Sequence, residues 1–597
     1  MEATAATRGS VDASTIAEAF RQTVSRRPDE VAVRTKDDEI AWTWSELQRR
    51  VDLLAGGLHN RLGLRKGDTI ALLLGNRPEF HLADLAAMMV GATPFSIYLT
   101  EAPPGIAYLV GDAGARIVIT EQAHVDRVLE ARKDLPRLEH VIVVDGEPPE
   151  GCLALDEVQD EGFDVESSIA QLRGDDVLTL IYTSGTTGPP KGVELTHGNL
   201  LSAVQGIDQI VQFPEDTKVI SWLPNAHIAE RAAHHYLPIV FGFEVTTCPD
   251  PKQIVAYLPA VRPHWFFAVP RIWEKLKAGL EAMLASQPEE QRAKVQAALD
   301  AAIKKVRLEQ AGEPVPDELR ASVEQADKEL FANLRAMLGL DRVVAINVGA
   351  APTPVEVLEF FHAIGLPVAE LWGMSETCGA GAVNPPDRIK IGTVGRATPG
   401  AELKVAEDGE LLVRAGFVMR GYRNKPDKTA EAIDEDGWLH TGDIAEIDDE
   451  GYVRIIDRKK EIIINSAGKN MSPANIEATL KAASPLIGTA VCIGDRRPYN
   501  TALIVLDPDF TPAWAAQQGI EGKSLTELAG DERVRAAIQQ AVEAANAKLA
   551  RVEQIKKFTI LGEPWQPGGD ELTPTMKLKR RPILEKYAPQ IEAMYAG

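Results

Sequence analysis

Cysteine is scarce in this sequence, and its placement excludes two classes of protein. The 597 residues contain four cysteines, none of which belongs to a CxxC pair or a Cys/His cluster. This spacing excludes a zinc finger and a disulfide framework, and it fits a reducing compartment. We therefore expect a cytoplasmic protein that folds around an ordinary apolar core.

Long apolar runs are also missing. The best candidate, residues 82–99, is interrupted by Asp84 and Pro94, so no membrane-spanning helix is predicted. Residues 1–10 lack a basic segment followed by an apolar one, and no signal peptide is predicted. The basic run at residues 577–581 leaves a peripheral contact with a membrane open.

Positive charge is in deficit. The chain has 64 lysine and arginine residues against 87 aspartate and glutamate residues, which gives a formal net charge of −23. Nucleic-acid binding needs a basic surface, so nucleic acid is not an expected partner. A local basic pocket for a polyanionic small molecule stays compatible with this balance.

The sequence does contain a regular alternation of amphipathic helices and short apolar strands, from residue 15 to about residue 245. The run TIALLL at residues 69–74 is typical of a buried strand. The expected fold class is α/β, with a large N-terminal body of doubly wound mixed sheets. In such sheets ligands bind beyond the carboxyl ends of the strands.

Composition also suggests subdivisions of the chain. Amino acids that favour helices dominate positions 274–340 and predict a helical insertion there. Short strands between Gly and Asp turns predict a β-rich subdomain at about 400–457. A charged break at residues 458–460 predicts a boundary between an N-terminal domain, 1–457, and a small α+β C-terminal domain, 458–597.

The most informative segment follows an apolar strand at residues 178–182. Its glycines let backbone N–H groups approach a ligand, and its hydroxyls and lysine complete the groups needed to hold a triphosphate. These residues are Thr183, Ser184, Gly185, Thr186, Thr187, Gly188 and Lys191. The segment is not a Walker A loop, because Lys191 lies between Pro190 and Gly192, and it contains no Rossmann GxGxxG motif.

This segment resembles the phosphate-binding signature of the adenylate-forming superfamily. That family includes acyl-CoA synthetases, firefly luciferase and the adenylation domains of peptide synthetases, and the similarity extends along essentially the whole chain. The resemblance implies ATP and coenzyme A as cosubstrates, Mg²⁺ as the cofactor, and a mobile C-terminal domain.

Two further motifs resemble the adenine pocket of this family, NVGAAP at 347–352 and LWGMSETCG at 371–379. The resemblance implies that Trp372 stacks on adenine and that Glu376 holds Mg²⁺, with Thr183 as a second metal candidate. Most members have Tyr where Trp372 stands, so stacking is retained and a hydroxyl contact is lost. The implied ATP-binding residues are Gly349, Ala350, Ala351, Trp372, Gly373, Met374 and Ser375.

The ribose and the substrate carboxylate have candidate partners elsewhere. Asp443, in HTGD at 440–443, resembles the aspartate that holds both ribose hydroxyls, with Arg458 on the other side; taken alone, Asp443 could be a turn cap. His227, in WLPNAHIAER at 222–231, resembles the histidine beside the substrate carboxylate, which it would help to neutralise or position. A structural histidine is the alternative.

The C-terminal part resembles the moving half of the family. Lys460 matches the hinge pivot, and Gly468 and Lys469 match the loop that lines the coenzyme A tunnel. Lys577, in LTPTMKLKRR at 572–581, matches the lysine that reaches the α-phosphate and carboxylate, with Lys579 as the competing assignment. The implied catalytic set is Lys577, Glu376, His227 and Lys191.

The implied reaction is acyl-AMP formation from a carboxylic acid and ATP, followed by transfer of the acyl group to coenzyme A. The IAER extension, the helical insertion and HWFFAVPRI at 264–272 resemble the long-chain fatty-acid branch, although residues 265–267 could simply form a buried strand. A medium-chain or aryl acid CoA ligase and an acyl-AMP ligase stay open within the class. A non-catalytic nucleotide-binding scaffold and a P-loop ATPase stay open outside it, and the chain could be a monomer or a homodimer.

Overall fold

The computed structural model describes residues 9–183, 189–466, 469–573 and 576–596. Its largest sheet has eight strands, and a parallel block forms most of it. In spatial order the strands are Gly421–Tyr422, Lys191–Thr196, Val177–Thr183, Thr93–Ser96, Thr69–Leu73, Ile117–Thr120, His140–Val143 and Leu153–Ala154. The first three are joined by antiparallel pairing, which places the end of one strand beside the start of the next.

Helices cover both faces of this sheet. The strand Thr69–Leu73 is buried throughout: Ile70 and Leu72 pack into one core cluster, and Ala71 and Leu73 pack into another. This alternation confirms the predicted doubly wound arrangement. The helices around this sheet and the next are Ile16–Arg26, Trp44–Gly56, Pro78–Val90, Pro103–Ala113, Val125–Arg132, Val165–Ile169, His197–Asp208, Ile228–Arg231, Leu237–Phe241 and Ile254–Val261.

The helix Trp44–Gly56 illustrates how local sequence sets an element boundary. Thr43 accepts a hydrogen bond from the backbone N–H of Glu46 at 3.2 Å, and the Glu46 carboxylate accepts one from the Thr43 N–H at 2.9 Å. This reciprocal capping box satisfies N–H groups that a helix leaves free at its start.

Two further sheets complete the α/β part of the body. One contains Lys218–Ser221, Glu244–Thr247, Val31–Thr35 and Ala41–Thr43; the other contains Trp265–Ala268, Ala345–Val348, Val368–Gly373, Gly381–Val383 and Arg396–Ala397. All four residues of Trp265–Ala268 are buried in the sheet, so the strand interpretation of this aromatic run is correct.

Helices occupy most of residues 270–338. They are Pro270–Ala285, Glu289–Gln310, Asp317–Ala326 and Ala332–Leu338, with a π-helical turn before the last, and the helix Val355–Ala363 packs against them. Among the described residues, every helix is too short or too polar to cross a bilayer.

An antiparallel sheet follows, formed by Ala401–Val405, Glu410–Ala415, Leu439–Ile447 and Val453–Arg458. The short helix Pro426–Ala432 interrupts it in sequence. The last strand ends at Arg458, one residue beyond the predicted boundary, and the domain divisions themselves stay predictions.

The C-terminal domain has its own core. A hairpin of Ile487–Ile493 and Asn500–Leu506 is extended by the parallel strand Ile555–Leu561, and its two faces pack into separate clusters. A small ribbon, Ile463–Ile464 with Asn470–Met471, precedes it. The helices are Pro473–Ala483, Phe510–Gln517, Leu525–Ala529, Glu532–Lys548, Arg580–Lys586 and Ala588–Tyr595. The predicted α/β class with a large body and a small C-terminal domain is therefore confirmed.

Candidate active site

The candidate phosphate site lies where the strand Val177–Thr183 ends. Thr183 pairs with Lys191, the first residue of the returning antiparallel strand, so these two residues form the base of the predicted loop. The predicted ligands Ser184, Gly185, Thr186, Thr187 and Gly188 lie outside the described residues. Thr183 and Lys191 therefore fix the two ends of the segment on the sheet.

The ammonium group of Lys191 lies 3.9 Å from the ring centroid of Tyr422. Burial lowers the pKa of Lys191, and the nearby carboxylate of Glu376 opposes that effect. The electron-rich face of an aromatic ring attracts a cation and so stabilises it without a counter-ion. The charge of Lys191 therefore stays available for an anionic ligand.

The predicted adenine segment follows the strand Ala345–Val348. Gly349 is buried, whereas Ala350 and Ala351 are exposed, and Ala350 has a left-handed φ of 71°. A non-glycine residue in this conformation is uncommon and is often found at a functional site. The backbone here therefore turns outward beside the neighbouring strand Val368–Gly373.

Tight backbone packing shapes the other side of this pocket. A Cβ atom on Gly373 would lie 2.1 Å from the carbonyl oxygen of Gly379, so a side chain at this position would displace the turn that carries Met374, Ser375 and Glu376. Ser375 and Met374 are half-buried at this turn, and Glu376 is buried. The close approach explains why glycine follows Trp372.

Trp372 is linked directly to the predicted ribose-binding carboxylate. Its indole Nε1 donates a hydrogen bond to Asp443 Oδ2 at 2.8 Å, and Arg458 Nε lies 2.8 Å from Asp443 Oδ1. Asp443 and Arg458 are paired across neighbouring strands. Burial raises the pKa of Asp443, while the charge of Arg458 and the indole hydrogen bond oppose that rise.

Glu376 is held by a residue that the sequence motifs did not identify. Tyr422 donates its hydroxyl to Glu376 Oε1 at 2.7 Å. The described residues contain no cluster of three or more His, Cys, Asp or Glu that would form an all-protein metal cage. A single carboxylate beside a phosphate site nevertheless fits Mg²⁺, which usually binds one or two carboxylates together with phosphates and water.

His227 lies at the N-terminus of the helix Ile228–Arg231. Its Nδ1 accepts a hydrogen bond from the Ala229 N–H at 3.1 Å, which leaves the proton on Nε2. Burial, with a smaller effect from the charge of Lys577, lowers the pKa of His227 to about 4. At neutral pH this side chain is an uncharged donor, which favours positioning a carboxylate over neutralising its charge.

A buried polar network anchors this helix. Glu230 Oε1 accepts a hydrogen bond from Ser221 Oγ at 2.7 Å. Its Oε2 accepts one from the Leu223 N–H at 3.0 Å and lies 2.7 Å from His234 Nδ1. Because Glu230 is buried, these partners offset the cost of removing its charge from water.

Arg231 makes a second set of buried contacts on the same helix. It pairs with Asp84, and it donates hydrogen bonds to Ser96 Oγ and Tyr236 OH, both at 2.9 Å. His235 Nε2 lies 2.9 Å from the other oxygen of Asp84. The polar residues of the IAER segment are therefore internal anchors that hold His227 at the surface of the cleft.

The two candidate lysines of the C-terminal motif occupy different environments. The charge of Lys577 interacts with Arg458, Asp443 and Glu376. The surrounding protein displaces part of the water around its ammonium group, and this partial desolvation, together with the charge of Arg458, lowers the pKa of Lys577. Lys579 instead donates its ammonium to the backbone carbonyl of Gly569 at 2.8 Å. Lys577 faces the cleft, where its side chain is still solvent-exposed, and Lys579 supports the C-terminal fold.

The remaining candidates of the C-terminal domain lie at the protein surface or outside the described residues. Lys460 and Lys469 are exposed, and the predicted tunnel residue Gly468 lies outside the described residues. The charge of Lys460 acts on Lys191 and contributes to the lowered pKa of Lys191. The predicted hinge residue is therefore near enough to the predicted phosphate lysine for their charges to interact.

Ion pairs link the two domains in this arrangement. Arg271 pairs with Asp507, and Lys275 Nζ lies 2.6 Å from Asp509, so the start of the helix Pro270–Ala285 contacts the C-terminal domain. These pairs hold the C-terminal domain against that helix, in an arrangement in which the charge of Lys577 acts on Asp443 and Glu376.

Comparison with known proteins gives the family. A model described as "AMP-binding enzyme" matches residues 20–423, and one described as "AMP-binding enzyme C-terminal domain" matches residues 460–597. The Mycobacterium tuberculosis protein fadD11 is 52% identical over 73% of this chain and 76% of its own length.

Other relatives cover nearly the whole chain. Long-chain-fatty-acid–CoA ligase FadD15 of Mycobacterium bovis is 35% identical over 95% of both chains. Long-chain-fatty-acid–CoA ligase ACSBG2 of Xenopus laevis is 31% identical over 97% of this chain and 84% of its own. Anthranilate CoA ligase AuaEII, solved with anthranoyl-AMP, shares the fold with a TM-score of 0.72 at 20% identity, covering 97% of this chain and 98% of that one. The protein described here belongs to the AMP-binding enzyme family.

Proposed function

We propose that this protein is an ATP-dependent long-chain fatty-acid–CoA ligase that forms AMP. The observation that carries the proposal is that predicted nucleotide residues from separate parts of the chain meet at Asp443. Trp372 Nε1 and Arg458 Nε each lie 2.8 Å from this carboxylate, and the charge of Lys577 also acts on it. The relatives named as long-chain-fatty-acid–CoA ligases support the choice of a fatty acid as the substrate.

In the first half-reaction, the fatty-acid carboxylate attacks the α-phosphorus of ATP, and pyrophosphate leaves. Both reactants are anionic, so the site must reduce their repulsion. Lys191 binds the phosphate tail, and Lys577 reaches the α-phosphate and the attacking carboxylate. His227 donates its Nε2 proton in a hydrogen bond that orients the carboxylate.

The nucleoside is held by the group around Trp372. The indole ring stacks on adenine, and the oxygens of Asp443 accept the ribose hydroxyls while Arg458 keeps that carboxylate in place. Glu376, with Thr183 as a second ligand, would hold Mg²⁺. The ion, when bound, would supply positive charge that screens the phosphates.

In the second half-reaction, the thiol of coenzyme A attacks the acyl carbonyl of the acyl-adenylate, and AMP leaves. We propose that the C-terminal domain turns about Lys460 between the two steps, which withdraws Lys577 from the site. The same movement brings the segment containing Gly468 and Lys469 to the site, where it lines the path of the thiol.

We further propose a cytoplasmic location. The cysteines of the chain are free thiols, and Cys248, Cys378 and Cys492 are buried. Free thiols dispersed through a core are typical of a reducing compartment.

A pyrophosphate-release assay over a series of acids tests the proposal. Release should depend on the acid and should be greatest with long-chain fatty acids. A preference for medium-chain or aryl acids would change the assigned substrate, and acyl-AMP that coenzyme A does not consume would indicate an acyl-AMP ligase. No release with any acid would indicate a nucleotide-binding scaffold, and formation of ADP and phosphate would indicate a different ATPase.

A further inference from the structure

Tyr422 occupies a position between two groups of opposite charge that both serve the phosphates of ATP. Its ring lies under the Lys191 ammonium at 3.9 Å, and its hydroxyl donates to Glu376 at 2.7 Å. Tyr422 is 8% exposed, so both contacts are largely removed from water. A single phenol side chain therefore contacts the phosphate lysine and the metal carboxylate.

The backbone around Tyr422 is tied to the same two elements. The strand Gly421–Tyr422 pairs with the strand that begins at Lys191, and the Arg423 N–H donates to the Gly192 carbonyl at 2.7 Å. The Met419 N–H donates to the Glu376 carbonyl at 2.8 Å. The segment 419–423 thus connects the strand after the phosphate loop to the turn that carries Glu376.

The opposite charges of Lys191 and Glu376 explain why a residue is needed between them. Lys191 and Glu376 attract each other, and a direct ion pair between them would neutralise the charges that the phosphates and the metal require. A hydrogen bond to one carboxylate oxygen orients the other toward a metal. An aromatic face stabilises the ammonium without consuming its charge.

We propose that Tyr422 is a positioning residue that keeps Glu376 and Lys191 apart and oriented for Mg²⁺ and ATP. The proposal rests on the proposed function, since it assumes that this cleft binds Mg·ATP. It extends that function to a residue whose partners are distant in sequence and that no motif identified. Tyr422 acts through Glu376 and Lys191 and does not itself meet the reacting atoms.

The test is the affinity of the full-length protein for Mn²⁺ in the presence of ATP, measured by electron paramagnetic resonance with no acid added. Mn²⁺ serves as a paramagnetic substitute for Mg²⁺. Tyr422→Phe keeps the ring under Lys191 and removes only the hydroxyl. We expect it to weaken Mn²⁺ affinity by on the order of tenfold, as removal of other groups that orient metal ligands does.

Tyr452 provides a matched control. Its hydroxyl donates to the Arg388 carbonyl at 2.8 Å, and its ring lies under Lys390 and Arg396, so it makes the same kinds of contact away from the cleft. Tyr452→Phe should leave Mn²⁺ affinity unchanged. The double variant Tyr422→Phe with Glu376→Gln should bind Mn²⁺ no more weakly than Glu376→Gln alone. Both substitutions act on the same metal ligand, so their effects should not add.

Chemical variants at position 422 separate orientation from packing. If Tyr422→Phe does not fold, 4-methylphenylalanine introduced there fills the space without a donor and should show the same loss. Introduction of 4-aminophenylalanine restores a donor at the ring end and should restore most of the affinity.

Unchanged affinity in the variants that lack the donor, or additive losses in the double variant, would overturn the proposal. Mn²⁺ and ATP binding without acid-dependent pyrophosphate release would contradict only the proposed function. Absence of Mn²⁺ and ATP binding in the unaltered protein would contradict both.

Discussion

The indole N–H of Trp372 donates to the carboxylate of Asp443 at 2.8 Å, which joins the predicted adenine-stacking residue to the predicted ribose-binding residue. A hydrogen bond to a charged group contributes about 1.5–3 kcal/mol, and here it fixes one oxygen of the carboxylate that we propose binds the ribose diol. If the proposed function holds, the tryptophan side chain couples the adenine contact to the ribose contact.

Trp372→Phe keeps an aromatic face and removes the donor. We expect the affinity for ATP to fall by about tenfold, which corresponds to the lower end of that hydrogen-bond energy. We also expect the variant to discriminate less between ATP and 2′-deoxy-ATP, since Asp443 is no longer oriented. Calorimetric titration of both nucleotides on both proteins checks this, and an unchanged discrimination ratio would show that the indole N–H has no such role.

Lys577 and Lys579 differ in what their ammonium groups contact, and this difference predicts different effects on the two half-reactions. Lys577→Ala should slow acyl-AMP formation by on the order of a hundredfold, comparable with the loss of one oxyanion donor. Transfer from preformed acyl-AMP to coenzyme A should survive. Lys579→Ala should leave the rate of adenylation close to that of the unaltered protein, because its partner is the Gly569 carbonyl.

Single-turnover assays of each half-reaction separate these outcomes. Equal loss of both half-reactions in Lys577→Ala would contradict the role of this lysine in adenylation. A larger adenylation defect in Lys579→Ala than in Lys577→Ala would reverse the assignment.

The neutrality of His227 predicts how the rate of adenylation depends on pH. Its pKa of about 4 lies below the ordinary value of 6.5, so the uncharged form prevails at neutral pH. His227→Ala should reduce kcat/KM through the lost hydrogen bond, without changing the shape of the profile between about pH 6 and 8. Loss of an inflection near neutral pH in the variant would show that His227 titrates there and acts as a charge.

Another buried histidine predicts loss of stability in mild acid. His197 is 3% exposed, its Nδ1 accepts the Ile16 N–H at 3.1 Å, and burial lowers its pKa from 6.5 to about 4. Because the pKa of His197 is lower in the folded than in the unfolded state, its contribution to the free energy of unfolding is present above the unfolded-state pKa. That contribution is lost as the pH falls toward 4. Between pH 7 and 5 the loss should be roughly 2 kcal/mol.

The variant His197→Asn isolates this contribution, because asparagine can keep an acceptor for the Ile16 N–H but does not titrate. Denaturant unfolding of the N-terminal body at the two pH values should give a smaller decrease for the variant than for the unaltered protein. Equal decreases would mean that other groups cause the acid sensitivity.

The elements of the fold were predictable where burial repeats along the chain. The TIALLL run indicated a strand because both of its faces are covered, and Ile70 and Leu72 on one side with Ala71 and Leu73 on the other confirm that reason. The start of the helix Trp44–Gly56 is local in the same way, since Thr43 caps it through contacts with a residue only three positions away. Such features depend on neighbours in sequence, so the sequence alone reveals them.

The contacts within the site were less accessible. The sequence named Glu376 and Lys191 through their motifs, but Tyr422 joins them only because its short strand pairs with the edge of the large sheet. In the same way, the Trp372 side chain meets Asp443 across 71 positions of sequence. A side-chain contact that arises only from tertiary packing leaves no periodicity or motif spacing in the sequence. The charge state of His227 likewise depends on its burial, which the composition of the chain does not show.

The most direct test of the central claim is a mass-spectrometric measurement of the products from a long-chain fatty acid and ATP, with and without coenzyme A. We predict AMP, pyrophosphate and fatty acyl-CoA in equal amounts when coenzyme A is present, and enzyme-bound acyl-AMP with pyrophosphate when it is omitted. Formation of ADP, or the absence of an acyl-adenylate with every fatty acid tested, would contradict the assignment of this protein as an AMP-forming fatty-acid–CoA ligase.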